Sequence, residues 1–289
     1  MTVLEAIRRS AEFLEKKGVE SARLNAELLL ADVLKMPRMR LYLAFERMLT
    51  DHEIEVLRQR VVRRGRREPL QRIVGTTSFC GHEMLMDGNA LIPRPETEAL
   101  AETAFEFLAA RQCTEGPPSV LDIGTGTGCI AIAVALKFPD AMVTGSDISP
   151  AALEVAARNA ALHGLQDRLR LVQSDLFSGL APGSAFDLIV SNPPYIATGE
   201  IQTLQPEVRD HEPALALDGG PDGLQLYRRL AVEASGWLKP RGRVLFEFGD
   251  GQALALQNIF SSQNWIVEPP HADYTGRLRI IAAHRHAPD

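Results

Sequence analysis

The sequence has few cysteines, and they show no pairing pattern. Cys80, Cys113 and Cys129 are odd in number and widely spaced, and no Cys-x-x-Cys motif occurs. This pattern argues against a disulfide scaffold and fits a reducing compartment. The seven histidines are equally scattered, and only His284 and His286 lie close together. We therefore expect no metal site.

Long apolar runs are lacking as well. No uninterrupted apolar stretch approaches the length that spans a bilayer, and the chain does not open with a charged segment followed by an apolar one. Its 45% apolar and 24% charged residues are typical of a globular protein. We therefore expect a cytoplasmic protein with no membrane partner. Its 289 residues are enough for one large and one small domain.

Net positive charge is absent too. The formal net charge of −6 argues against a general nucleic-acid coat or a membrane-surface protein. A local cluster of arginines is the exception, and it suggests an anionic partner such as RNA or an acidic protein face. A solvated helix face explains the same residues, so both interpretations stay open. The arginine cluster consists of Arg58, Arg60, Arg63, Arg64, Arg66, Arg67 and Arg72.

The first part of the chain, residues 1–68, has the periodicity of a small helical bundle. Capping-box patterns at residues 2–5 and 50–53 predict the starts of two helices, and a short helix is expected over 41–48. Residues 69–94 change to β-rich composition punctuated by glycines, which predicts a β-hairpin linker with strands over 79–86 and 90–92.

The third part, residues 95–289, begins with a helix and then alternates strands with helices. This alternation predicts an α/β fold with a mostly parallel sheet. Two late strands, over 265–267 and 278–282, are separated by a short turn-rich segment and predict a terminal antiparallel hairpin. The other predicted strands are 120–123, 142–146, 169–172, 186–190 and 243–248, and the helices between them are 129–136, 150–163, 224–238 and 252–260.

A glycine-rich loop follows the first predicted strand and opens a helix. It lacks the third glycine position of the dinucleotide fingerprint, where Cys129 stands, and it lacks the Gly-Lys-Ser/Thr ending of a nucleoside triphosphate loop. Glycines nevertheless let a backbone approach a ligand closely. The loop residues assigned to cofactor binding are Gly124, Thr125, Gly126, Thr127 and Gly128.

The next two strand ends carry further cofactor candidates. Asp147 closes the second strand and is well placed for the two hydroxyls of a ribose. Asp175, Leu176 and Phe177 follow the third strand and could bracket an adenine, with a polar group toward the exocyclic amine and apolar side chains against the ring.

The fourth strand ends in the motif Asn192-Pro193-Pro194-Tyr195. A planar amide or aryl amine nitrogen is a poor nucleophile, so an enzyme that methylates it can lower the barrier by placing hydrogen-bond acceptors against its N–H bonds. The Asn192 side chain and the Pro193 carbonyl could be those acceptors. Consecutive prolines hold that carbonyl in one direction. Tyr195 offers a flat face to a planar group. A plain strand-ending turn would explain the motif taken alone.

The order of these motifs resembles the class I S-adenosylmethionine-dependent methyltransferases, which have a Rossmann-like fold, over roughly residues 95–285. The whole chain is similar to the HemK-type protein-(glutamine-N5) methyltransferases that modify peptide chain release factors. The resemblance is carried by residues 91–98 (Leu-Ile-Pro-Arg-Pro-Glu-Thr-Glu), 192–196 (Asn-Pro-Pro-Tyr-Ile) and a set of short motifs within 212–224. One departure is Arg72, where an aromatic residue or histidine is expected in the linker strand.

This resemblance implies the function. S-Adenosyl-L-methionine would be the cofactor, and the methyl acceptor would be the glutamine amide of the Gly-Gly-Gln loop of a release factor. Asn192, Pro193 and Tyr195 would be catalytic, Asn192 would also contact the cofactor, and residues 192–195 would bind the substrate. Residues 1–68 would dock the substrate protein, and the enzyme is expected to be a monomer without direct nucleic-acid binding.

Alternatives remain from the residues alone. A glutamine of a ribosomal protein, or the N6 amine of a flipped adenine in DNA or RNA, would suit the same acceptor pair. A catalytically silent methyltransferase-like binding module is a further possibility, although the glycine loop and the Asn-Pro-Pro-Tyr turn are both intact.

Overall fold

A computed structural model describes residues 1–111 and 116–286. Its contacts divide the chain into two compact units. Unit 1 contains residues 1–76 together with 205–211, and unit 2 contains residues 77–204 and the chain from Glu212 onwards. Of the cysteines, Cys113 lies outside the described residues.

Unit 1 is helical. Both predicted capping boxes are present: the Thr2 hydroxyl accepts from the Glu5 amide while the Glu5 carboxylate accepts from the Thr2 amide, and Thr50 and Glu53 repeat the exchange. The apolar faces meet in one buried cluster that includes Leu14. The helices of unit 1 are α1 (Val3–Lys16), α2 (Ala22–Val33), α3 (Arg38–Leu41), α4 (Asp51–Gly65), α5 (Leu70–Val74) and, from the later segment, α9 (Pro206–Arg209).

The helix predicted over 41–48 was wrong, because α3 ends at Leu41. Residues after Leu41 form hydrogen bonds with the start of the chain instead. The Val3 amide donates to the Arg47 carbonyl, and the Leu4 amide donates to the Phe45 carbonyl. The carbonyls of residues 45 and 47 therefore find their hydrogen-bond donors at the start of α1, which a local sequence pattern does not reveal.

Ion pairs within unit 1 involve most of the arginine cluster. Arg58 pairs with Glu55, Arg60 with Asp32 and Arg63 with Glu68. The buried Arg64 and its neighbour Arg67 both donate to Glu207, at 2.9 and 2.6 Å. The two latter arginines are therefore part of the packing of unit 1. Contact between the cluster and a partner stays a prediction.

The linker contains the predicted hairpin, but with other boundaries. Strands β1 (Thr76–Phe79) and β2 (His82–Leu85) form a two-stranded sheet. Residues 90–92, predicted as a strand, have no regular structure. Arg72 lies in helix α5 rather than in a strand, because Pro69 begins a helical turn there.

The main sheet of unit 2 confirms the predicted α/β class. Its strand order is β5-β4-β3-β6-β7-β10-β8, with β9 paired to β10. Pairing is parallel from β5 to β7, and β10 is antiparallel to β7, β8 and β9. The strands are β3 (Ser119–Ile123), β4 (Met142–Asp147), β5 (Leu169–Gln173), β6 (Phe186–Ser191), β7 (Leu238–Glu247), β8 (Ile266–Val267), β9 (His271–Ala272) and β10 (Leu278–His284).

Helices cover both faces of this sheet. Along β3, Val120 packs into one apolar cluster with the helices over 95–110 and 129–137, whereas Leu121 packs into the other with the helices over 225–233 and 253–262. The helix predicted over 224–238 ends earlier, and β7 begins at Leu238, with a bulge where it pairs with β6. The helices of unit 2 are α6 (Pro95–Ala110), α7 (Cys129–Lys137), α8 (Pro150–Leu162), α10 (Gln225–Glu233) and α11 (Ala253–Ser262).

The strand order reverses between β3 and β6. From β3 the chain proceeds outward through β4 and β5, and it then returns to build β6 and β7 on the other side. In open α/β sheets the crevice at such a switch point, beside the carboxyl ends of the strands, is where ligands bind. No helix in the described part of the chain is long and apolar enough to cross a membrane.

Candidate active site

A cavity of about 420 Å³ lies at the carboxyl ends of β3, β4, β5 and β6. It brings together residues from all three predicted cofactor segments and from the Asn-Pro-Pro-Tyr motif. Arg94 of the linker and Thr97 of α6 complete the wall. The predicted site residues that line it are Gly124, Thr125, Gly126, Thr127, Asp147, Asp175, Leu176, Asn192 and Pro194.

The glycine loop uses left-handed backbone conformations. Gly124, Gly126 and Gly128 have φ of 67°, 56° and 81°, values that side chains with a Cβ disfavour. At Gly128 a Cβ would also lie 3.2 Å from the Cβ of Ala156 in α8. Gly128 thus closes the loop against a helix, whereas its neighbours face the cavity.

Asp122 supports this loop from below. Its Oδ2 accepts from the Thr125 hydroxyl at 2.6 Å and from the Ala131 amide at 3.2 Å. Its Oδ1 is buried without a hydrogen-bond partner among the described residues. Burial raises the pKa of Asp122 to about 7. A buried carboxyl with one unpartnered oxygen is costly to ionise, so the neutral form of Asp122 is favoured.

Asp147 ends β4 at the cavity wall. Its two oxygens accept from the Gly126 and Ser149 amides, both at 2.9 Å. Burial raises its pKa, which these hydrogen bonds oppose. A carboxylate can accept about four hydrogen bonds, so capacity remains for the hydroxyls of a ribose.

The segment after β5 is only partly arranged as predicted. Leu176 lines the cavity in a left-handed conformation with φ of 51°, and its carbonyl accepts from the Ser174 hydroxyl at 2.7 Å. Asp175 also lines the cavity and pairs with Arg229. Phe177 is buried and stacks on Trp237, with ring centroids 5.5 Å apart. Its ring therefore serves the core, so Leu176 is the apolar group of this segment at the cavity.

In the Asn-Pro-Pro-Tyr turn, Asn192 and Pro194 lie at the cavity, while Pro193 is buried. The Asn192 amide nitrogen donates to the Thr97 hydroxyl at 3.0 Å. The Tyr195 hydroxyl lies 3.5 Å from Glu247 Oε1, and burial together with this carboxylate raises the pKa of Tyr195. The Tyr195 carbonyl accepts from Gln252 at 2.9 Å.

A second glycine segment packs against this turn. A Cβ at Gly219 would lie 2.8 Å from the Pro194 carbonyl oxygen, and one at Gly223 would lie 2.3 Å from the Tyr195 carbonyl oxygen. The Gly219 amide also donates to the Ile196 carbonyl at 2.8 Å. The two glycines are thus needed for a close approach of two backbone segments.

The sequence did not reveal the hydrogen bonds that join two further polar residues to the site. Thr97 and Glu247 are buried, and the Thr97 hydroxyl donates to Glu247 Oε2 at 2.7 Å. Burial raises the pKa of Glu247 to about 7. In the sequence Glu247 stands between Phe246 and Phe248 at the end of an apolar strand, a position that an ordinary surface acid at a strand end also occupies, because acids are mostly exposed.

Comparison with known proteins agrees with this geometry. Residues 5–75 match the family model of the PrmC N-terminal domain, and residues 103–219 match that of the methyltransferase small domain. A release factor glutamine methyltransferase of Geobacter sulfurreducens is 44% identical over 260 residues, covering 90% of this chain and 88% of the relative. One of Chlorobaculum tepidum is 44% identical over 265 residues, covering 90% of each.

The chain belongs to the release factor glutamine methyltransferase family. It is accordingly a methyltransferase that depends on S-adenosylmethionine. A Thermus thermophilus 16S rRNA methyltransferase, solved in complex with AdoMet and guanosine, shares the fold: the TM-score is 0.51 at 18% identity, covering 73% of this chain and 50% of that one.

The cavity of this methyltransferase fits such a cofactor. The glycine loop provides open backbone at Gly124, where a Cβ would meet no atom within 4 Å. Asp147 lines the cavity with unused acceptor capacity that suits ribose hydroxyls, and Leu176 lines it with an apolar surface. Among the described residues no group of His, Cys, Asp or Glu side chains could hold a metal ion.

Proposed function

We propose that this enzyme transfers a methyl group to the side-chain amide nitrogen, N5, of the glutamine in the Gly-Gly-Gln motif of peptide chain release factors. The observation that supports this most is the position of Asn192. Its amide nitrogen is held by Thr97 while the residue lines the cavity. No donor in the described part of the chain contacts its amide oxygen, so that oxygen is available to a substrate N–H.

The acceptors at the turn make the substrate nitrogen reactive. Bound S-adenosylmethionine supplies an electrophilic methyl group. The Asn192 side-chain oxygen and the Pro193 carbonyl accept the two N–H bonds of the glutamine amide and orient its nitrogen toward that methyl group. Methyl transfer would form the N–C bond as the C–S bond of S-adenosylmethionine breaks, S-adenosylhomocysteine would leave as the neutral thioether, and the cationic nitrogen would then lose a proton to solvent. Tyr195 borders the planar amide group.

The substrate class follows from the relatives, which are named release factor glutamine methyltransferases and align over most of the chain. The same acceptor pair would suit a glutamine of a ribosomal protein or the amine of a flipped adenine, so the experiment must separate these substrates.

The test is methyl transfer from labelled S-adenosylmethionine in three parallel reactions. One contains a release factor, one a ribosomal protein and one duplex DNA. We expect label on the Gly-Gly-Gln glutamine alone, located by peptide mass spectrometry. A release factor in which that glutamine is replaced by alanine is the matched control. Label on DNA adenine or on the ribosomal protein would overturn the substrate assignment, and absence of label from all three would overturn the activity.

We also propose that residues 1–68 dock the release factor and that the linker runs from 69 to 94. The match of residues 5–75 to the PrmC N-terminal domain supports this. Arg58, Arg63 and Arg66 are the exposed members of the arginine cluster. Reversal of their charges should raise KM for the intact release factor and leave KM for a short Gly-Gly-Gln peptide unchanged. Equal KM values for the intact protein before and after reversal would contradict docking through these arginines.

We propose further that the enzyme acts as a cytoplasmic monomer without direct nucleic-acid binding. Acidic net charge and the absence of cysteine pairing in the sequence support this. Light scattering after size-exclusion chromatography should give a mass near the 31.7 kDa of one chain. A mass of two chains at micromolar concentration would contradict the monomer.

A further inference from the structure

A chain of buried hydrogen bonds extends from the catalytic turn to the end of β7. Asn192 donates to Thr97, and Thr97 donates to Glu247, at 3.0 and 2.7 Å. Thr97 is 2% exposed and Glu247 is 1% exposed. The backbone carbonyl of Glu247 also accepts from the Tyr227 hydroxyl at 2.5 Å, which fixes the end of β7. These groups lie in α6, β7 and α10, and their roles are not explained by the methyl-transfer step itself.

The direction of each hydrogen bond in this chain is set by Glu247. An ionised carboxylate only accepts, so the single hydroxyl proton of Thr97 must point to Glu247. Thr97 can then offer only a lone pair to Asn192. The amide of Asn192 must therefore turn its NH₂ group toward Thr97, and its oxygen is directed away from Thr97. An oxygen in that position is what the substrate N–H requires.

We propose that Glu247, acting through the Thr97 hydroxyl, is the positioning residue that holds the Asn192 amide with its oxygen toward the substrate nitrogen. The inference rests on the proposed function, because it assigns a supporting role to residues around the same acceptor. Neither Thr97 nor Glu247 needs to touch the reacting atoms.

Protonation of Glu247 would remove this constraint. A neutral carboxyl can donate to Thr97, which frees the threonine proton to point at Asn192, and the amide could then bind in either orientation. Burial raises the pKa of Glu247 to about 7. The charged or titratable groups that influence it are Glu96 from α6, Tyr195 from the turn, Tyr227 from α10 and Arg279 from β10.

The balance of these groups predicts the pH dependence. Glu96 disfavours the charged carboxylate of Glu247, and Arg279 and the Thr97 hydrogen bond favour it. The positioning form is the ionised one, so it is present above the pKa and is lost as the pH falls through it. The turnover number should therefore decline below about pH 7 in the wild-type enzyme.

The test compares Glu247→Gln, Thr97→Val and Thr97→Ser with the wild type, using release factor as the substrate. Gln can donate to Thr97, and Val removes the hydroxyl, so both variants should lower kcat at least about tenfold, the worth of one lost hydrogen bond. Ser keeps the hydroxyl and should restore most of the rate that Val loses. KM for release factor and the Kd of S-adenosylmethionine, measured by calorimetry, should change less than about threefold.

Two further readouts distinguish positioning from simple packing. In an Asn192→Ala background, Thr97→Val should cost no additional rate, because the group it positions is gone. The decline of kcat below pH 7 should disappear in Glu247→Gln. Thr103→Val is the matched control, since among the described residues its hydroxyl donates to the Ala99 carbonyl within α6 alone, at 2.9 Å, and it should leave kcat unchanged.

The outcomes separate the two claims. A wild-type enzyme that binds S-adenosylmethionine but does not methylate release factor would refute the proposed function. An active wild-type enzyme would refute the positioning role if Thr97→Val retains full kcat, or if its effect is undiminished in the Asn192→Ala background. If Glu247→Gln does not fold, the comparison of Thr97→Val with Thr97→Ser still decides the role of the hydroxyl.

Discussion

Replacement of Asn192 by alanine tests the proposed acceptor most directly. The structure allows two effects of this change to be separated. One is loss of the amide oxygen that accepts a substrate N–H, and the other is loss of the 3.0 Å donation to Thr97. Removal of one preorganised polar contact to a transition state costs about 3 to 4 kcal/mol, which is on the order of 10² to 10³ in kcat. Loss of the bond to Thr97 should cost about 1 kcal/mol of stability.

Single-turnover methylation of a release factor, with S-adenosylmethionine saturating, measures the first effect. Urea denaturation measures the second. Asn258→Ala is the matched control, because Asn258 is exposed on α11, and it should alter neither quantity. Asn192→Asp gives a sharper comparison: a carboxylate cannot donate to Thr97 and brings a second acid near Glu247, so its kcat should be no higher than that of the alanine variant.

The prediction fails if Asn192→Ala turns over within about threefold of the wild type in the single-turnover assay. In that case the nitrogen would not depend on the side-chain acceptor, and the role assigned to the Asn-Pro-Pro-Tyr turn would be wrong.

Three further predictions concern the buried or partly buried carboxylates Asp147, Asp187 and Asp122. Asp147→Ala should weaken binding of S-adenosylmethionine at least about tenfold because hydrogen bonds to a charged acceptor are lost; unchanged affinity in calorimetry would count against the ribose assignment. Asp187 is buried and accepts hydrogen bonds from Arg111, Lys239 and the Ser119 amide. Asp187→Asn should therefore lower the free energy of unfolding in urea by about 3 kcal/mol. A decrease below about 1 kcal/mol would show that the two cations bind other partners. The folded state raises the pKa of Asp122 from 3.8 to about 7, so the contribution of Asp122 to stability is full below pH 4 and is lost as the pH rises through 7. Between pH 5 and pH 8, Asp122→Asn should therefore gain at least about 1 kcal/mol of unfolding free energy relative to the wild type. A difference in unfolding free energy that does not change with pH would refute this.

Much of the fold could be predicted because its signals are local. The capping residues Thr2 and Thr50 mark helix starts by hydrogen bonds to residues three positions away. The buried parallel strands are continuous apolar runs. The helix expected over 41–48 failed because the partners of that backbone are residues 3 and 4, which are distant in sequence.

In the candidate site, too, features with local signals could be predicted and contacts between distant residues could not. The strand-end positions of Asp147 and Asn192 follow from the alternation of strands and helices, and both line the cavity. The side-chain direction of Phe177 could not be predicted, because its stacking partner Trp237 is distant in the sequence. Glu247 could not be distinguished from a surface acid, since its hydrogen bond to Thr97 spans 150 positions.

The order of strands has a consequence for the newly made chain. Among the described strands β10 comes last in the sequence, yet it pairs with β7 in the interior of the sheet, with Ile280 opposite Glu247. Until Leu278–His284 leaves the ribosome, β7 has a free apolar edge that includes Val244 and Phe246, which are fully buried in the finished protein. Such an edge can pair with other chains. A nascent enzyme should therefore depend on chaperones until β10 has left the ribosome, and should become active only when β10 is in place.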